Sequence, residues 1–267
     1  MNFKLLFPTY RTRFQFVRRA LDTLFDAKPV ARGLNLGSGE GDYDPAIKRY
    51  CQTLAACDIN ELDVAFAQQL NRDMPGIHYS VQDGAKLTYR DELFDFVTCI
   101  DVIEHVPDPK ALLREIYRVL KPGGHSVISC PNHHFPLSYD PINLALRRVG
   151  LRLGFGAYGY GHSVLLREVE LKKWLAETGF KVVSCHYLTK ALAAFSECYW
   201  VSLCQKVFKA NAANQTTAQR RRVALKPSLE EPALVKLTDG LIRLDDWLFR
   251  GSNRSVGLGF VVEKPAK

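Results

Sequence analysis

The sequence predicts an α/β fold: a doubly wound, mostly parallel sheet with accessory helical and irregular insertions. Short apolar runs alternate with amphipathic stretches at the spacing of βα units. The first run ends in a glycine-rich loop, "GLNLGSGEGDYD" at 33–44. The chain has 267 residues, 47% of them hydrophobic, enough for one large core with an accessory segment.

Each element follows from local chemistry. "RGLNL" is a short apolar strand, and Asp44-Pro45 supplies a cap and a first-turn proline for a helix to about Cys51. "TLAACDIN" is a second strand ending at Asp58, after which Asn60 caps "ELDVAFAQQLNR". "IHYSVQDGAKL" gives a third strand turning at Asp83-Gly84, and "LFDFVTCIDVIEHV" a fourth that ends near Ile100 or Asp101. "DPKALLREIYRVLKPGG" reads as a helix capped by Asp108, begun by Pro109 and stopped by Gly123 and Gly124; "HSVISCPN" is the fifth strand. "LREVELKKWLAETGF" is an amphipathic helix closed by Gly179, and "KVVSCHYL" a strand. The final "SVGLGFVVEKP" is a strand that would pair with it at the sheet edge. Residues 133–163 and 190–250 break the rhythm, and connections of that length are usually functional or disordered.

Composition narrows the partners. Seven scattered cysteines without CxxC spacing point to free thiols in a reducing, cytoplasmic compartment and to no zinc cluster. The N-terminus lacks the apolar core of a signal peptide, and 191–208 is too polar to span a membrane. The net charge of +8 is concentrated in residues 1–21 (Lys4, Arg11, Arg13, Arg18, Arg19) and 198–229 (Lys206, Lys209, Arg220, Arg221, Arg222, Lys226), neither of which holds an acid. That excess therefore serves solubility, a membrane surface or a polyanion rather than the loop's ligand. Within 190–209, Leu192, Phe195, Tyr199, Leu203 and Val207 recur at helical spacing, as either a core stripe or a lipid-facing one.

Gly37, Gly39 and Gly41 let the backbone turn tightly and present its N–H groups. Asp58 lies about where a carboxylate would grip a ribose diol. A nicotinamide cofactor and S-adenosylmethionine both satisfy that pair. Glu40, Asp42 and Asp44 would repel a pyrophosphate and suit a sulfonium cation.

The chain resembles the class I S-adenosylmethionine-dependent methyltransferases, in particular a subgroup with ubiquinone- and menaquinone-pathway and polysaccharide-cluster small-molecule enzymes. The residues that carry the likeness are "LNLGSGEGD", "CDIN", "QDGAKL", "FDFVTCIDVIEHVPDPKALLREIYRVLKPGGHSVISCPN" and "GHSVLLREVELKKWLAETGF". It implies a Rossmann-like seven-stranded sheet with an antiparallel last strand. It also implies a basic helical extension over 1–29 and a methyltransferase domain over 30–267, with 133–163 and 190–250 forming a substrate lid. By this likeness Gly37, Ser38 and Gly39 surround the methionine end, Asp58 meets the ribose hydroxyls, and Asp83 and Gly84 fall by the adenine, with Asn35 and Ile59 also among the cofactor-binding residues. Ile100 and Asp101 end the strand that lines the sulfonium pocket. Asn35 stands where the family often has an acid.

Methyl transfer is an in-line displacement in which the protein holds acceptor and methyl carbon together, and a base is needed only if the acceptor must lose a proton. For a hydroxyl acceptor the candidates are His105, His133 and His134, with His162 in the long connection; each also reads as a structural histidine. Glu104 could join His105 on a metal, but further ligands at suitable spacing are lacking, so the expected site is metal-free. Aromatic and basic residues of 135–167 (Phe135, Tyr139, Phe155, Tyr158, Tyr160, Arg147, Arg148, Arg152, Arg167) read either as a lid or as an ordinary connection.

The leading expectation is O-methylation of a sugar, lipid or quinone-like small molecule. "DVIE" after the fourth strand, in place of an Asn/Asp-Pro-Pro-aromatic motif, leans against exocyclic base amines. An RNA or tRNA methyltransferase, a non-catalytic cofactor-binding protein and a nicotinamide enzyme are the alternatives. A peripheral contact with anionic membrane is compatible with the first.

Overall fold

The computed structural model describes residues 2–25, 28–133, 141–151, 166–201 and 230–266. His134, His162, Leu203, Val207, the QRRR run and most of the aromatic block of 135–167 lie outside the described residues. The described strands form one seven-stranded sheet of order β3-β2-β1-β4-β5-β7-β6, with β7 antiparallel. They are β1 (Val30–Leu36), β2 (Cys51–Asp58), β3 (Ile77–Val81), β4 (Phe94–Ile100), β5 (Leu120–Pro131), β6 (Lys181–Leu188) and β7 (Gly257–Glu263). β1 runs parallel to both β2 and β4, pairing Leu36 with Cys57 and with Cys99, so the carboxyl ends of these strands finish level. The reversal of strand order at β1 and β4 opens the crevice expected of doubly wound sheets.

The chain divides into two compact units. One comprises Met1–Thr12, Asn132–His162 and Tyr187–Gly257; the other Arg13–Pro131, Ser163–His186 and Leu258–Lys267.

In the second unit the helices are the C-terminal part of α1 (Pro8–Phe25), then α2 (Asp44–Ile47), α3 (Glu61–Leu70), α4 (Pro109–Val119) and, after α5 (Pro141–Leu146) of the first unit, α6 (Glu168–Thr178). α1 buries Phe14, Phe16, Val17, Ala20 and Leu21, and Phe25 meets Phe96 with ring centroids 5.3 Å apart. α4 is capped as its sequence demands, since the Asp108 carboxylate accepts hydrogen bonds from the Lys110 and Ala111 amides, both at 3.0 Å. Its stripe of Leu112, Leu113, Ile116 and Val119 is fully buried. Asn60 caps α3 by accepting from the Leu62 amide.

The end of α4 departs from expectation. Gly123 and Gly124 do not stop it; the helix ends at Val119 and Leu120 is already extended, with φ −73° and ψ 139°. "KPGG" belongs to β5, where the Gly123 amide donates to the Lys264 carbonyl (2.7 Å) and Lys264 donates back to Gly124 (2.9 Å). The pull comes from the end of β7, far downstream in the sequence. β7 does pair with β6 as expected, but it lies between β5 and β6, so β6 forms the edge.

In the first unit, Arg11 is buried and holds Asp239 (2.8 Å) and Glu231 (2.6 Å), so this member of the basic N-terminus is not a surface charge. The stretch after Lys190 begins as α7 (Ala191–Phe195) and continues as a π-helical turn, Ser196–Val201. This stretch buries Ala193, Ala194 and Cys198 and leaves Phe195 exposed with Leu192 and Tyr199 half-buried, so the stripe at helical spacing is not its fully buried face. α8 (Val235–Leu248) completes this unit; its buried Asp245 accepts the Lys190 and Leu192 amides at 2.7 and 2.8 Å and so caps α7.

Candidate functional site

The glycine loop is built from the end of β1 outward. Gly37 and Ser38 both donate to the Cys57 carbonyl at the end of β2, at 2.8 and 2.9 Å. The Gly39 amide donates to one oxygen of Asp58 (2.9 Å), whose other oxygen accepts the Asn60 amide (2.9 Å). The loop therefore sits over the carboxyl ends of β1 and β2 with Asp58 half-buried beside it. Gly37 has φ +75°, and a Cβ there would come within 2.1 Å of Val102 Cγ2. Gly39 has φ +50° and nothing within 4 Å of an added Cβ, so one residue packs the loop down and the other leaves an open face.

Beneath the loop lies a buried polar network. Asn35 donates from Nδ2 to Asp44 Oδ1 (2.6 Å) and accepts at Oδ1 from the Thr98 hydroxyl (2.9 Å). The Tyr79 hydroxyl donates to Asp44 Oδ2 (2.6 Å), and Asn71 donates to both Tyr79 and the Gly41 carbonyl. Asp44 is the first residue of α2, with Tyr43 before it making no side-chain cap, so its carboxylate is not the cap that Asp44-Pro45 suggests. It faces the core, and burial pushes it up to about 6 against the pull of the Tyr79 and Asn35 hydrogen bonds. Of the three loop acids, this one is withdrawn from any ligand. Asn35 thus packs against a carboxylate already in place, that of Asp44.

The third and fourth strands deliver the remaining residues. The Gln82 amide donates to the Asp58 carbonyl, which aligns the turn where the Asp83 carboxylate accepts the Ala85 amide (2.9 Å). Arg118 of α4 pins the following loop through the carbonyls of Leu87 and Tyr89, with Glu115 accepting the Leu87 amide. Asp83 is exposed, and Ile59, next to Asp58, is 71% exposed.

At the end of β4, Asp101 has φ +53°, accepts the Ser129 hydroxyl (2.8 Å) and pairs with buried Arg13 at 2.6 Å. From sequence Arg13 is only one charge in a basic run; Phe14, Phe16 and Val17 flanking it on a buried face were the available signal. Glu104 is fully buried nearby, and burial, with Asp101 adding to it, pushes its carboxyl up to about 8. His105 is exposed, 3.9 Å from Glu104, and His133 is exposed in the first unit. The structure thus brings Gly37, Ser38, Gly39 and Asp58 together through the hydrogen bonds to Cys57 and Asp58.

The loop retains unused hydrogen-bonding capacity for a cofactor: the Ser38 hydroxyl is buried and has no hydrogen-bond partner among the described residues. An open face at Gly39, a carboxylate at Asp58 with lone pairs to spare and an apolar surface at Ile59 match a ligand with an amino-acid end, a diol and a flat ring. A separate cleft of about 440 Å³, lined by Arg32, Thr53, His78, Tyr89 and Phe94, shares none of these residues.

Residues 10–185 match a family described as a methyltransferase domain. The ubiquinone biosynthesis O-methyltransferase of Pseudomonas putida is 30% identical over 151 residues, 56% of this chain. That alignment takes in 64% of the relative's own length, less than two thirds. A putative sarcosine dimethylglycine methyltransferase from Galdieria sulphuraria shares the fold with a TM-score of 0.61 at 17% identity, over 96% of this chain and 86% of that one. The N-methyltransferase NodS from Bradyrhizobium japonicum, solved with S-adenosyl-L-homocysteine, does so with a TM-score of 0.50 at 19% identity, over 70% and 83%.

Proposed function

Because the chain belongs to the class I S-adenosylmethionine-dependent methyltransferases, we propose that it methylates a hydroxyl of a small acceptor, a sugar, lipid or quinone-like compound. The observation that carries the cofactor's placement is the buried Ser38 hydroxyl left unsatisfied in a glycine loop that is itself tied to Cys57 and Asp58. In this reading Gly37, Ser38 and Gly39 floor the amino-acid end and Asp58 accepts the ribose hydroxyls. Ile59 covers one face of the adenine, and Asp83, beside Gly84, accepts from its amino group. Asn35 acts from below, holding the loop through Asp44 rather than touching the ligand.

The bound cofactor supplies a methyl carbon already activated by a sulfonium. The chain's own work is alignment, with Ile100 and Asp101 bordering the reacting end and Arg13 fixing the Asp101 carboxylate so that its direction does not wander. His105 is the candidate to take the acceptor's proton, its exposed ring lying next to Glu104. The acceptor class rests on the O-methyltransferases of ubiquinone biosynthesis, to which the aligned half of the chain is similar.

Calorimetry and label transfer test both parts. Adenosylhomocysteine should bind and NAD should not; NAD binding in its place would overturn the cofactor assignment. Labelled S-adenosylmethionine should then methylate catechol-type hydroxyl acceptors in a panel that also holds amines and tRNA. Label appearing only in the amines or the tRNA would overturn the acceptor class.

A further inference from the structure

The buried carboxylate of Asp44 has no cation beside it. Its two oxygens accept from the Asn35 amide and the Tyr79 hydroxyl, both at 2.6 Å and both neutral donors. Among the described residues no lysine, arginine or histidine pairs with it, although the side chain is fully buried. Buried carboxylates are ordinarily paired, because burial without a counter-charge disfavours the ionised form. The groups that face Asp44 do not supply one. Asp42 of the loop adds a second negative charge, burial holds the Tyr79 hydroxyl and the Cys57 thiol in their neutral forms, and Asn71 and Thr98 contribute only amide and hydroxyl dipoles. Raised only to about 6, Asp44 is nonetheless mostly ionised at pH 7.

Its position says where the missing cation belongs. A Cβ added at Gly41 would come within 3.1 Å of Asp44 Oδ2, and Asn71 ties the Gly41 carbonyl to the same network at 3.1 Å, so the carboxylate lies directly beneath the glycine loop. On the other side of that loop are the open face at Gly39 and the unsatisfied Ser38 hydroxyl, the floor proposed for the amino-acid end of the cofactor. S-adenosylmethionine carries a sulfonium and an ammonium against a single carboxylate, a net positive charge. When the methyl group leaves, the bonding pair stays on sulfur, and adenosylhomocysteine is neutral overall. Because a buried charge is poorly screened, Asp44 acts across the loop without touching the ligand.

We propose that Asp44 is a specificity-determining residue whose carboxylate, acting through the loop, is the counter-charge of the cofactor's cationic end and favours S-adenosylmethionine over adenosylhomocysteine. The inference rests on the cofactor placement given above. At a separation of about 10 Å and an effective dielectric constant of about 20–40, the attraction corresponds to a preference of about 4- to 17-fold for the sulfonium form. Protons are linked to the same preference. A bound cation holds Asp44 ionised, so affinity for S-adenosylmethionine rises as pH rises through 6, and the complex forms there with release of a proton.

In calorimetry at pH 7, Asp44→Asn should weaken S-adenosylmethionine about 4- to 17-fold more than it weakens adenosylhomocysteine, whereas a merely structural loss would act on both ligands alike. In the parent chain, affinity for S-adenosylmethionine should fall about three- to sixfold from pH 7 to pH 5, with a proton released near pH 6 as read from binding heats in buffers of unlike ionisation enthalpy. Adenosylhomocysteine should show little of either effect, and Asp44→Asn should lose both. The swap Asn35→Asp/Asp44→Asn returns a carboxylate to the same network and should restore the preference. Equal weakening of the two ligands in Asp44→Asn, or a parent whose preference for S-adenosylmethionine is the same at pH 5 and pH 7, would overturn the proposal. If Asp44→Asn does not fold, the parent's pH dependence and the swap decide the matter, and a folded swap without the preference counts against it. A parent that binds neither ligand at pH 7 would refute the cofactor placement itself, and this inference with it.

Discussion

The Asn35–Asp44 pair offers a direct test of why this chain dispenses with an acid before its glycine loop. In Asn35→Asp, two carboxylate oxygens would meet where the amide and carboxylate now stand 2.6 Å apart in a fully buried site. At an effective dielectric constant of about 20 their repulsion would be about 6 kcal/mol. The protein avoids that by retaining one proton between them, which at pH 7 costs about 4 kcal/mol for a carboxyl of ordinary acidity, and this smaller figure sets the expected loss.

The sign with pH then follows. Asp44 in the parent is raised from 3.8 to about 6 on folding, so the folded state takes up a proton before the unfolded state does as pH falls, and stability is greatest below pH 4 and declines as pH rises through 6. Between pH 7 and pH 5 the parent should gain about 1 kcal/mol from this group, and the variant, which carries its shared proton throughout, about 3 kcal/mol. Urea unfolding at the two pH values should therefore show a deficit near 4 kcal/mol that shrinks by about 1–2 kcal/mol in acid. The swap Asn35→Asp/Asp44→Asn restores every bond: the carboxylate now at position 35 accepts from Thr98 and from the amide now at position 44, whose own oxygen accepts from Tyr79. It should return to within about 1 kcal/mol of the parent. A single variant as stable as the swap at pH 7, or a deficit independent of pH, would refute the network.

Three further outcomes are expected. Gly37→Ala should lose about 2–3 kcal/mol of stability, because its φ of +75° is strained for alanine and its Cβ meets Val102, whereas Gly39→Ala, with open space, should lose about 1 kcal/mol and show its main effect as weaker adenosylhomocysteine binding in calorimetry. Asp58→Asn should weaken that binding about ten- to a hundredfold, with a smaller change in thermal unfolding, since a charged acceptor is lost from two hydroxyls. Arg13→Met should cost roughly 1–3 kcal/mol in urea unfolding, discounted because the Asp101 side chain is one-third exposed, and should lower kcat if Asp101 needs its partner to hold direction.

Much of the fold was legible locally. Asp108 and Asn60 announce helix starts by side chain, and the apolar runs ending at Leu36, Asp58 and Ile100 announce strands whose carboxyl ends gather the loop, Asp58 and Asp101. What could not be read depends on partners remote in sequence. "KPGG" has the composition of a helix stop, yet pairing with Lys264 makes it strand. Asp44 has the composition of a cap, yet Asn35 and Tyr79 turn it inward, and no periodicity encodes that choice. Helical counting leaves the stripe of Leu192, Phe195 and Tyr199 open between a core and an exposed face; burial of Ala193, Ala194 and Cys198 instead, with Phe195 exposed, depends on what packs against this stretch.

Burial also changes what the charge distribution means. A run of five cations without an acid in the first 21 residues reads as a surface for a polyanion. Arg11 and Arg13 are nevertheless buried, one against Asp239 and Glu231, the other against Asp101. A guanidinium held by carboxylates within the fold neither releases counterions from a phosphate backbone nor steers a ligand from solution. Net charge alone therefore overstates the basic surface: two of the five cations in that run are spent inside the fold.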